Sequence, residues 1–176
     1  MKKALIVLAA ATLAACAHAP KPMAMAMLHP AGSQTARGMV HLQDMGTDGV
    51  EVKIDLLGVP AGVHGFHIHE TGDCSNNGQN AGGHFNPGSM IHGAPDAQSH
   101  HAGDFGNVTA DDKGEVHMTF MTHSISLTNG QSNNVIGRAV VLHGNADDLT
   151  SQPAGNAGPR ISCGVITAMA GDMQHM

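Results

Sequence analysis

Residues 65–104 read GFHIHETGDCSNNGQNAGGHFNPGSMIHGAPDAQSHHAGD and hold six candidate metal ligands. His67 and His69 are separated by one residue, and side chains at positions i and i+2 of a strand leave it on the same face. Two imidazoles that project side by side can close on one ion. The remaining candidates are His84, His92, His101 and Asp104. Because they lie in glycine- and proline-rich sequence that can wrap around a second ion, the spacing predicts a two-metal site.

Beyond this stretch the chain has the pattern of short β-strands. Val50, Val52, Ile54 and Leu56 alternate with polar residues, as in a strand with one buried face. Further strands are predicted within residues 39–42, 63–70, 105–109, 115–122, 135–143 and 161–167. The long loops 71–104 and 144–159 separate some of them, and loops of this length inside a compact domain are usually functional. The pattern predicts an all-β fold, an antiparallel sandwich or barrel of about eight strands.

Composition narrows the class of protein. The chain has 176 residues, enough for one domain with some terminal extension. Its 14 histidines exceed ordinary usage and favour metal chemistry. The formal net charge is −6 and there is no basic patch, which argues against a nucleic acid as partner.

The N-terminus has the pattern of a targeting signal. Lys2 and Lys3 precede an apolar run that is too short to span a bilayer as a mature helix. Residues 1–15 are predicted to be a signal peptide, with Cys16 as the lipidated first residue of the mature protein. The alternative is an ordinary secretory peptide that happens to contain a cysteine. Either peptide implies export, and removing residues 1–15 changes the formal net charge from −6 to −8 because two lysines and no acids are lost.

The cysteines fit an oxidising compartment. The chain has three, and assigning Cys16 to lipid leaves Cys74 and Cys163 to form a disulfide. Two buried free thiols are the alternative.

Both ends of the mature chain are predicted to be flexible. Residues 16–34 are rich in Met, Ala and Pro and have the composition of a tether, and residues 168–176 are expected to be a flexible tail. Thioethers are soft ligands that suit Cu(I). The two segments are therefore either plain spacers without a ligand or copper-binding segments that use their methionines and histidines. The residues concerned are His18, Met23, Met25, Met27, His29, Met169, Met173, His175 and Met176.

The ligand types of the central stretch point to particular metals. Imidazole binds both copper and zinc, and an aspartate among the imidazoles favours zinc or another borderline ion over Cu(I). His143 stands far along the chain at the end of a predicted strand. It is a candidate to complete a ring of nitrogens.

Five segments make the chain resemble the copper/zinc superoxide dismutase family. They are GFHIHE (65–70), GGHFNP (82–87), HHAGDFGNV (100–108), IGRAVVLH (136–143) and GNAGPRISCGVI (155–166). They occur in the order of the family and span a domain placed at residues 35–167. The resemblance implies an eight-stranded Greek-key sandwich or barrel with two long functional loops.

The resemblance also implies the ligand sets. The copper ligands would be His67, His69, His84 and His143, and the zinc ligands His84, His92, His101 and Asp104, with His84 bridging the two ions. His100 competes with His101, but the spacing to Asp104 selects His101. Asp147 would join a copper histidine to a zinc histidine, and His64 would be structural. His41, His117 and His123 are expected to be surface or packing residues.

The implied reaction is the dismutation of superoxide by alternating reduction and oxidation of copper. Arg160 and His84 would be the catalytic residues: Arg160 would receive the anion, and His84 would take up and release a proton. The chain departs from the family in two places: loop 144–159 is short and contains no lysine, and Ala154 stands where a channel threonine is often found. The resemblance therefore does not imply a maximal catalytic rate.

The alternative function is a dismutase-like protein that buffers or delivers copper or zinc. Under either function we expect one copper and one zinc ion per subunit, no nucleic acid partner, and membrane attachment only through lipid at Cys16. A homodimer is compatible with the resemblance. The expected address is the periplasmic side of a bacterial membrane, the outer rather than the inner one, or the soluble periplasm.

Overall fold

The computed structural model describes residues 21–169 and consists of eight antiparallel strands. The strands are β1 (Met23–Pro30), β2 (Arg37–Asp44), β3 (Val50–Leu57), β4 (Gly62–His69), β5 (Asp104–Ala110), β6 (Val116–Thr122), β7 (Ala139–His143) and β8 (Arg160–Met169). They form one sheet in the order β5-β4-β7-β8-β1-β2-β3-β6. The sheet curls into a nearly closed barrel, which confirms the predicted all-β class.

Side chains from opposite halves of the barrel meet in one apolar core. On β3, Val52, Ile54 and Leu56 are completely buried, as their alternation with polar residues predicted. Phe105 of β5 and Phe120 of β6 lie with ring centroids 5.2 Å apart, so the two edge strands approach each other. The neighbours β4–β7 and β3–β6 are not consecutive in sequence, which requires the long crossovers found in Greek-key folds.

The prediction of a flexible tether over residues 16–34 is wrong for Met23–Pro30. This segment is strand β1, and it pairs with both β2 and β8. Ala24, Ala26 and Leu28 point into the core with at most 1% exposure. The Ala/Met composition resembles a spacer, but the segment is an alternating strand with mostly small inward side chains. Because this strand is part of the barrel, the domain begins before residue 35.

Two other boundaries move. The tail was predicted from residue 168, but β8 continues to Met169, which pairs with Met23. The strand predicted over residues 135–143 shortens to β7, because Gly137 has a φ of +82° and interrupts the extended backbone. The predicted signal peptide, Cys16 and residues 170–176 lie outside the described residues.

The described part of the chain contains only two short 3-10 turns, Gly46–Asp48 and Gln79–Ala81, as helical segments. Neither the length nor the hydropathy of any helix between residues 21 and 169 is sufficient to cross a membrane.

The barrel positions the metal-binding candidates through two adjacent strands. His67 and His69 lie on β4, and β7, the neighbour of β4, ends at His143. The loop after β4 folds back against it, and His84 forms an isolated β-bridge with His69. Because this loop covers the outer side of β4, every residue from His64 to His69 is buried.

Candidate metal centre

The structure brings the predicted copper ligands together. His67, His69, His84 and His143 each offer a ring nitrogen, and these atoms all lie within 4.8 Å of one another. All four side chains are buried, with exposures between 0% and 7%. Three come from strands and one from the loop, so the four-histidine cluster joins the barrel wall to the loop that covers it.

The predicted zinc ligands form a second cluster. His84, His92, His101 and Asp104 likewise place one ligand atom each within 4.8 Å of one another, and all are buried. His84 belongs to both clusters. Its Nδ1 lies 2.7 Å from Asp104 Oδ1, whereas its Nε2 is buried without a hydrogen-bond partner. One imidazole therefore presents one nitrogen to each cluster.

Hydrogen bonds fix the ring orientation of the other three histidines in the four-histidine cluster. His69 Nδ1 donates to Gly82 O at 2.9 Å, His143 Nδ1 donates to Gly158 O at 3.3 Å, and His67 Nε2 donates to Asp147 Oδ2 at 2.8 Å. A neutral imidazole has one N–H, so the opposite nitrogen of each ring is a lone pair. In each case that lone pair points into the cluster.

The unpaired nitrogens fit a bound cation. His69 Nε2 and His143 Nε2 lie 3.2 Å apart, and His67 Nδ1 is buried without a partner. Converging lone pairs in a buried site are unfavourable unless something positive lies between them. An imidazole-only set suits copper or zinc.

In the second cluster, buried ring nitrogens without hydrogen-bond partners surround a carboxylate. His92 Nδ1 lies 3.1 Å from Asp104 Oδ2 and His101 Nδ1 lies 3.2 Å from Asp104 Oδ1, yet neither nitrogen makes a hydrogen bond. The carboxylate is held in place by the backbone N–H of His101 at 2.8 Å. Three nitrogens and one carboxylate oxygen form the four-ligand set of a closed structural zinc site.

Asp147 links the two clusters from outside. Its Oδ2 accepts the hydrogen bond from His67, and its Oδ1 accepts one from His92 Nε2 at 3.0 Å. The side chain of Asn107 donates to Asp147 O at 2.9 Å and accepts from Asp147 N at 2.7 Å. Carboxylates in this position orient ligating histidines and raise their basicity.

Arg160 is held against the loop that follows β4 and carries His84. Its Nη1 donates to Gly78 O and its Nη2 donates to Gly82 O. Gly82 O also accepts the hydrogen bond from His69, so one carbonyl connects the arginine to a metal-binding histidine. The predicted Cys74–Cys163 disulfide is present, which confirms the pairing and ties the same loop to β8.

Burial sets the protonation of the site. Burial is the largest influence on His67 and lowers its pKa to about 4, despite the hydrogen bond to Asp147. Burial likewise lowers the pKa of His143 to about 3 and holds that of His69 well below its usual value. Burial raises the pKa of Asp104, but hydrogen bonds from His84 and the His101 backbone outweigh it and bring the pKa below its usual range. At neutral pH the rings of His67, His69 and His143 are neutral and Asp104 is ionised, the forms that bind metal.

These pKa values predict that the metal-free protein loses stability in mild acid. The pKa values of His67 and His143 in the folded state, about 4 and about 3, lie below the unfolded value near 6.5. Between these pKa values the unfolded chain binds more protons than the folded chain. The free energy of unfolding therefore decreases as the pH drops. The contribution of these histidines to the free energy of unfolding is fully present above about pH 6.5. It decreases by a few kcal/mol towards pH 4.

Urea unfolding of the metal-free protein at several pH values between 7.5 and 4.5 measures this loss. The metal-loaded protein is the control, because bound metal competes with protons for the same nitrogens and moves the loss to lower pH. A free energy of unfolding that stays constant across the window in the metal-free protein would contradict the buried neutral histidines.

The remaining histidines lie outside the two clusters. His100 Nδ1 lies 2.7 Å from His101 O, so the structure places His101, and not His100, among the clustered atoms. The ring nitrogens of buried His64 lie 2.9 Å from His143 O and 2.7 Å from Pro60 O. His64 thus braces the backbone at the end of β7.

Gly155 is a site residue that the sequence reading missed. It has a φ of +63°, and a Cβ added there would overlap Asp147 Oδ1 and come within 2.7 Å of His92 Nε2. Only glycine leaves room for the Asp147–His92 hydrogen bond. The segment GNAGPRISCGVI points to Arg160 through the family resemblance, but no signal in a single sequence separates Gly155 from the other glycines in the loop.

We expect Gly155→Ala to weaken zinc binding by about 10–100-fold, the usual cost of disturbing a partner of a metal ligand. A zinc competition titration with a chromophoric chelator measures this change. Gly130→Ala is the matched control, because Gly130 also has a positive φ, +85°, with nothing within 4 Å of an added Cβ. It should cost only the backbone strain, about 1–2 kcal/mol of stability, with zinc affinity unchanged. Equal zinc affinities in the two variants would contradict the packing role of Gly155.

The fold and the two clusters define an all-β metalloprotein with two buried sites that share one imidazole. Residues 36–166 match the family model described as copper/zinc superoxide dismutase. The chain is also 45% identical, over 135 residues, to the extracellular superoxide dismutase (Cu-Zn) of Haemonchus contortus, an alignment that covers 73% of this chain and 72% of the relative. The chain belongs to the copper/zinc superoxide dismutase family. Its cofactors are copper and zinc, and the two clusters provide one site for each.

Proposed function

We propose that this protein removes superoxide by dismutation, with the four-histidine cluster as the copper site and the histidine–aspartate cluster as the zinc site. The observation that carries the proposal is the placement of His84, with Nε2 in one cluster and Nδ1 in the other. The aspartate favours zinc in the second cluster, and the all-imidazole set suits copper in the first.

Copper, when bound, supplies a one-electron couple between Cu(II) and Cu(I), which zinc does not have. Two superoxide anions and two protons give one dioxygen and one hydrogen peroxide, so the site must receive an anion and deliver protons. His84 Nε2 lies on the copper side and can hold a proton there. Its Nδ1 stays directed at Asp104, so the ring keeps its position in either protonation state.

Arg160 is the residue that receives the anion. Its guanidinium is permanently charged at working pH, even though burial lowers its pKa. It donates to Gly78 O and Gly82 O, which aims the group at the edge of the loop. The Cys74–Cys163 disulfide limits movement of that loop relative to β8, which carries Arg160. A cation in a fixed position beside the four-histidine cluster attracts superoxide and orients it before electron transfer.

Asp147 positions ligands of both clusters and does not contact the substrate. Asp147 holds His67 and His92 in the tautomers that leave Nδ1 free. Loss of its carboxylate removes both constraints at once. Asp147→Asn should therefore weaken zinc binding as well as copper binding, although it is a ligand of neither ion.

Superoxide decay in a stopped-flow spectrophotometer tests the proposed activity. Metal-free protein, protein loaded with zinc alone and protein loaded with both metals are compared at the same concentration. We expect activity only in the protein that contains copper. Copper that is bound at one equivalent without accelerating the decay would favour the alternative, a copper-buffering or copper-delivering protein.

We also propose that the mature protein is exported and anchored by lipid at Cys16, on the periplasmic side of a bacterial outer membrane. The N-terminal pattern and a disulfide in the folded domain support export. Metabolic labelling with a radioactive fatty acid, comparing the natural chain with Cys16→Ser, tests the anchor. Label in both chains, or in neither, would contradict lipidation at Cys16.

Self-association as a homodimer stays a prediction, which sedimentation velocity of the mature domain would test.

A further inference from the structure

The outward face of β1 has an unusual composition for a solvent-facing strand. Met23, Met25, Met27 and His29 occupy its successive outward positions. A half-exposed antiparallel strand normally carries polar residues on this face, and methionine is not a favoured strand residue. The outward positions of β3 follow the usual pattern with Glu51, Lys53 and Asp55. Neither the barrel core nor the two metal clusters uses the methionines of β1.

The register of β1 and β2 gathers three thioethers and one imidazole. Met25 is paired with His41, and Met27 is paired with Met39. Directly paired residues have Cβ atoms about 4.5–5.5 Å apart, and the two pairs are separated by about 7 Å along the strands. We define Met25, Met27, Met39 and His41 as the methionine cluster.

The side chains of the cluster lie on the barrel exterior. Met27 and Met39 border one groove of about 470 Å³, together with His29. Met25 and Met27 border a second groove of about 360 Å³ on the side of β8. Met27 is 51% exposed. The sulfur atoms stand at the ends of flexible side chains that have room to converge.

We propose that the methionine cluster binds one Cu(I) ion on the outside of the barrel, separately from the two buried clusters. Thioethers are soft ligands that select Cu(I). Unlike thiols, they carry no proton to lose and cannot pair as disulfides in an oxidising compartment, so the site needs no deprotonation to bind metal. His41 supplies a borderline nitrogen ligand at the corner next to Met25. Asp55 of β3 is paired with Met39, and Lys53 with His41. The Asp55 carboxylate is already engaged by Lys53 at 3.4 Å and His117 at 2.8 Å, and it is a hard ligand that suits other ions better than Cu(I).

The experiment uses protein already loaded with copper and zinc, with the buried copper first reduced by ascorbate so that added Cu(I) exchanges no electrons with it. The protein is then titrated anaerobically with Cu(I) in competition with bicinchoninate. We expect the natural chain to take up one equivalent of Cu(I) from the chelator beyond its buried metals. X-ray absorption of that copper should show sulfur neighbours.

The variant Met25→Leu/Met27→Leu/Met39→Leu is expected to lose the additional equivalent while it keeps its fold and its rate of superoxide removal. Met118→Leu/Met121→Leu is the matched control, because these methionines of β6 are also exposed, at 37% and 45%, and it should retain the additional ion. The proposal is overturned if the natural chain takes no further Cu(I), or if the triple variant retains it, which would place the ion on other residues. Copper with only nitrogen and oxygen neighbours would overturn it equally.

Discussion

His143→Ala is expected to remove nearly all superoxide-removing activity. His143 supplies one of the four ring nitrogens that converge within 4.8 Å, and it is the ligand contributed by β7. Losing a ligand costs more than the roughly 10–100-fold that follows loss of a ligand's hydrogen-bonding partner. The activity per molecule of protein should therefore fall by more than about 100-fold, with copper bound weakly or not at all.

The matched control for this variant is His117→Ala. His117 lies on β6, is exposed, and contacts Asp55 at 2.8 Å on the barrel exterior. Its loss should leave both copper content and activity unchanged. Stopped-flow superoxide decay and metal analysis of both variants give the comparison. If His143→Ala kept activity equal to that of His117→Ala, the four-histidine cluster would not be the reactive site.

Arg160→Ala is expected to cause the second largest loss of superoxide-removing activity, after His143→Ala. Unlike His143→Ala, it should leave both metals bound. The side-chain hydrogen bonds of Arg160 go to Gly78 O and Gly82 O and not to a clustered ligand atom, so copper and zinc content should stay at one equivalent each. Removing the positive charge that attracts the anion should lower kcat/KM by about tenfold or more. It should also weaken the dependence of the rate on ionic strength, because screening acts on that attraction.

Two further variants separate charge from shape at this position. Arg160→Lys keeps the charge but loses the planar fork that reaches both Gly78 O and Gly82 O, and we expect an intermediate rate. Arg37→Ala removes an exposed positive charge elsewhere and controls for the change in net charge. If Arg160→Ala and Arg37→Ala lowered kcat/KM equally, capture by a positioned guanidinium would be excluded.

Part of the fold was predictable because β3 alternates strictly and β7 is a short, continuous apolar run, and both patterns indicate strands. Val50 to Leu56 alternate without a break, and all the apolar positions among them are buried. Strand β1 escaped prediction because its inward residues, Ala24, Ala26 and Leu28, are mostly small and its outward residues are methionines. Binary pattern cannot distinguish such a segment from an Ala/Met spacer, and only the pairing with β2 and β8 shows its role.

The ligands were predictable in part from spacing and in part only from family resemblance. The His67–Ile68–His69 spacing requires only that the segment is a strand. The contribution of His143 depends on β7 lying beside β4, which is a long-range pairing that local sequence does not encode. The shared use of Gly82 O by Arg160 and His69, and the room that Gly155 leaves for Asp147, depend on loop conformation alone. Both were found only in three dimensions.

The order of the superoxide decay decides whether this protein dismutes superoxide catalytically. Uncatalysed dismutation is second order in superoxide, so its half-life lengthens as the anion is consumed. With the protein loaded with copper and zinc and superoxide in large excess, we predict a decay that is first order in superoxide, with a rate constant proportional to protein concentration, through many turnovers. A decay that stayed second order, or that stopped after one superoxide per copper, would contradict catalytic dismutation by this protein.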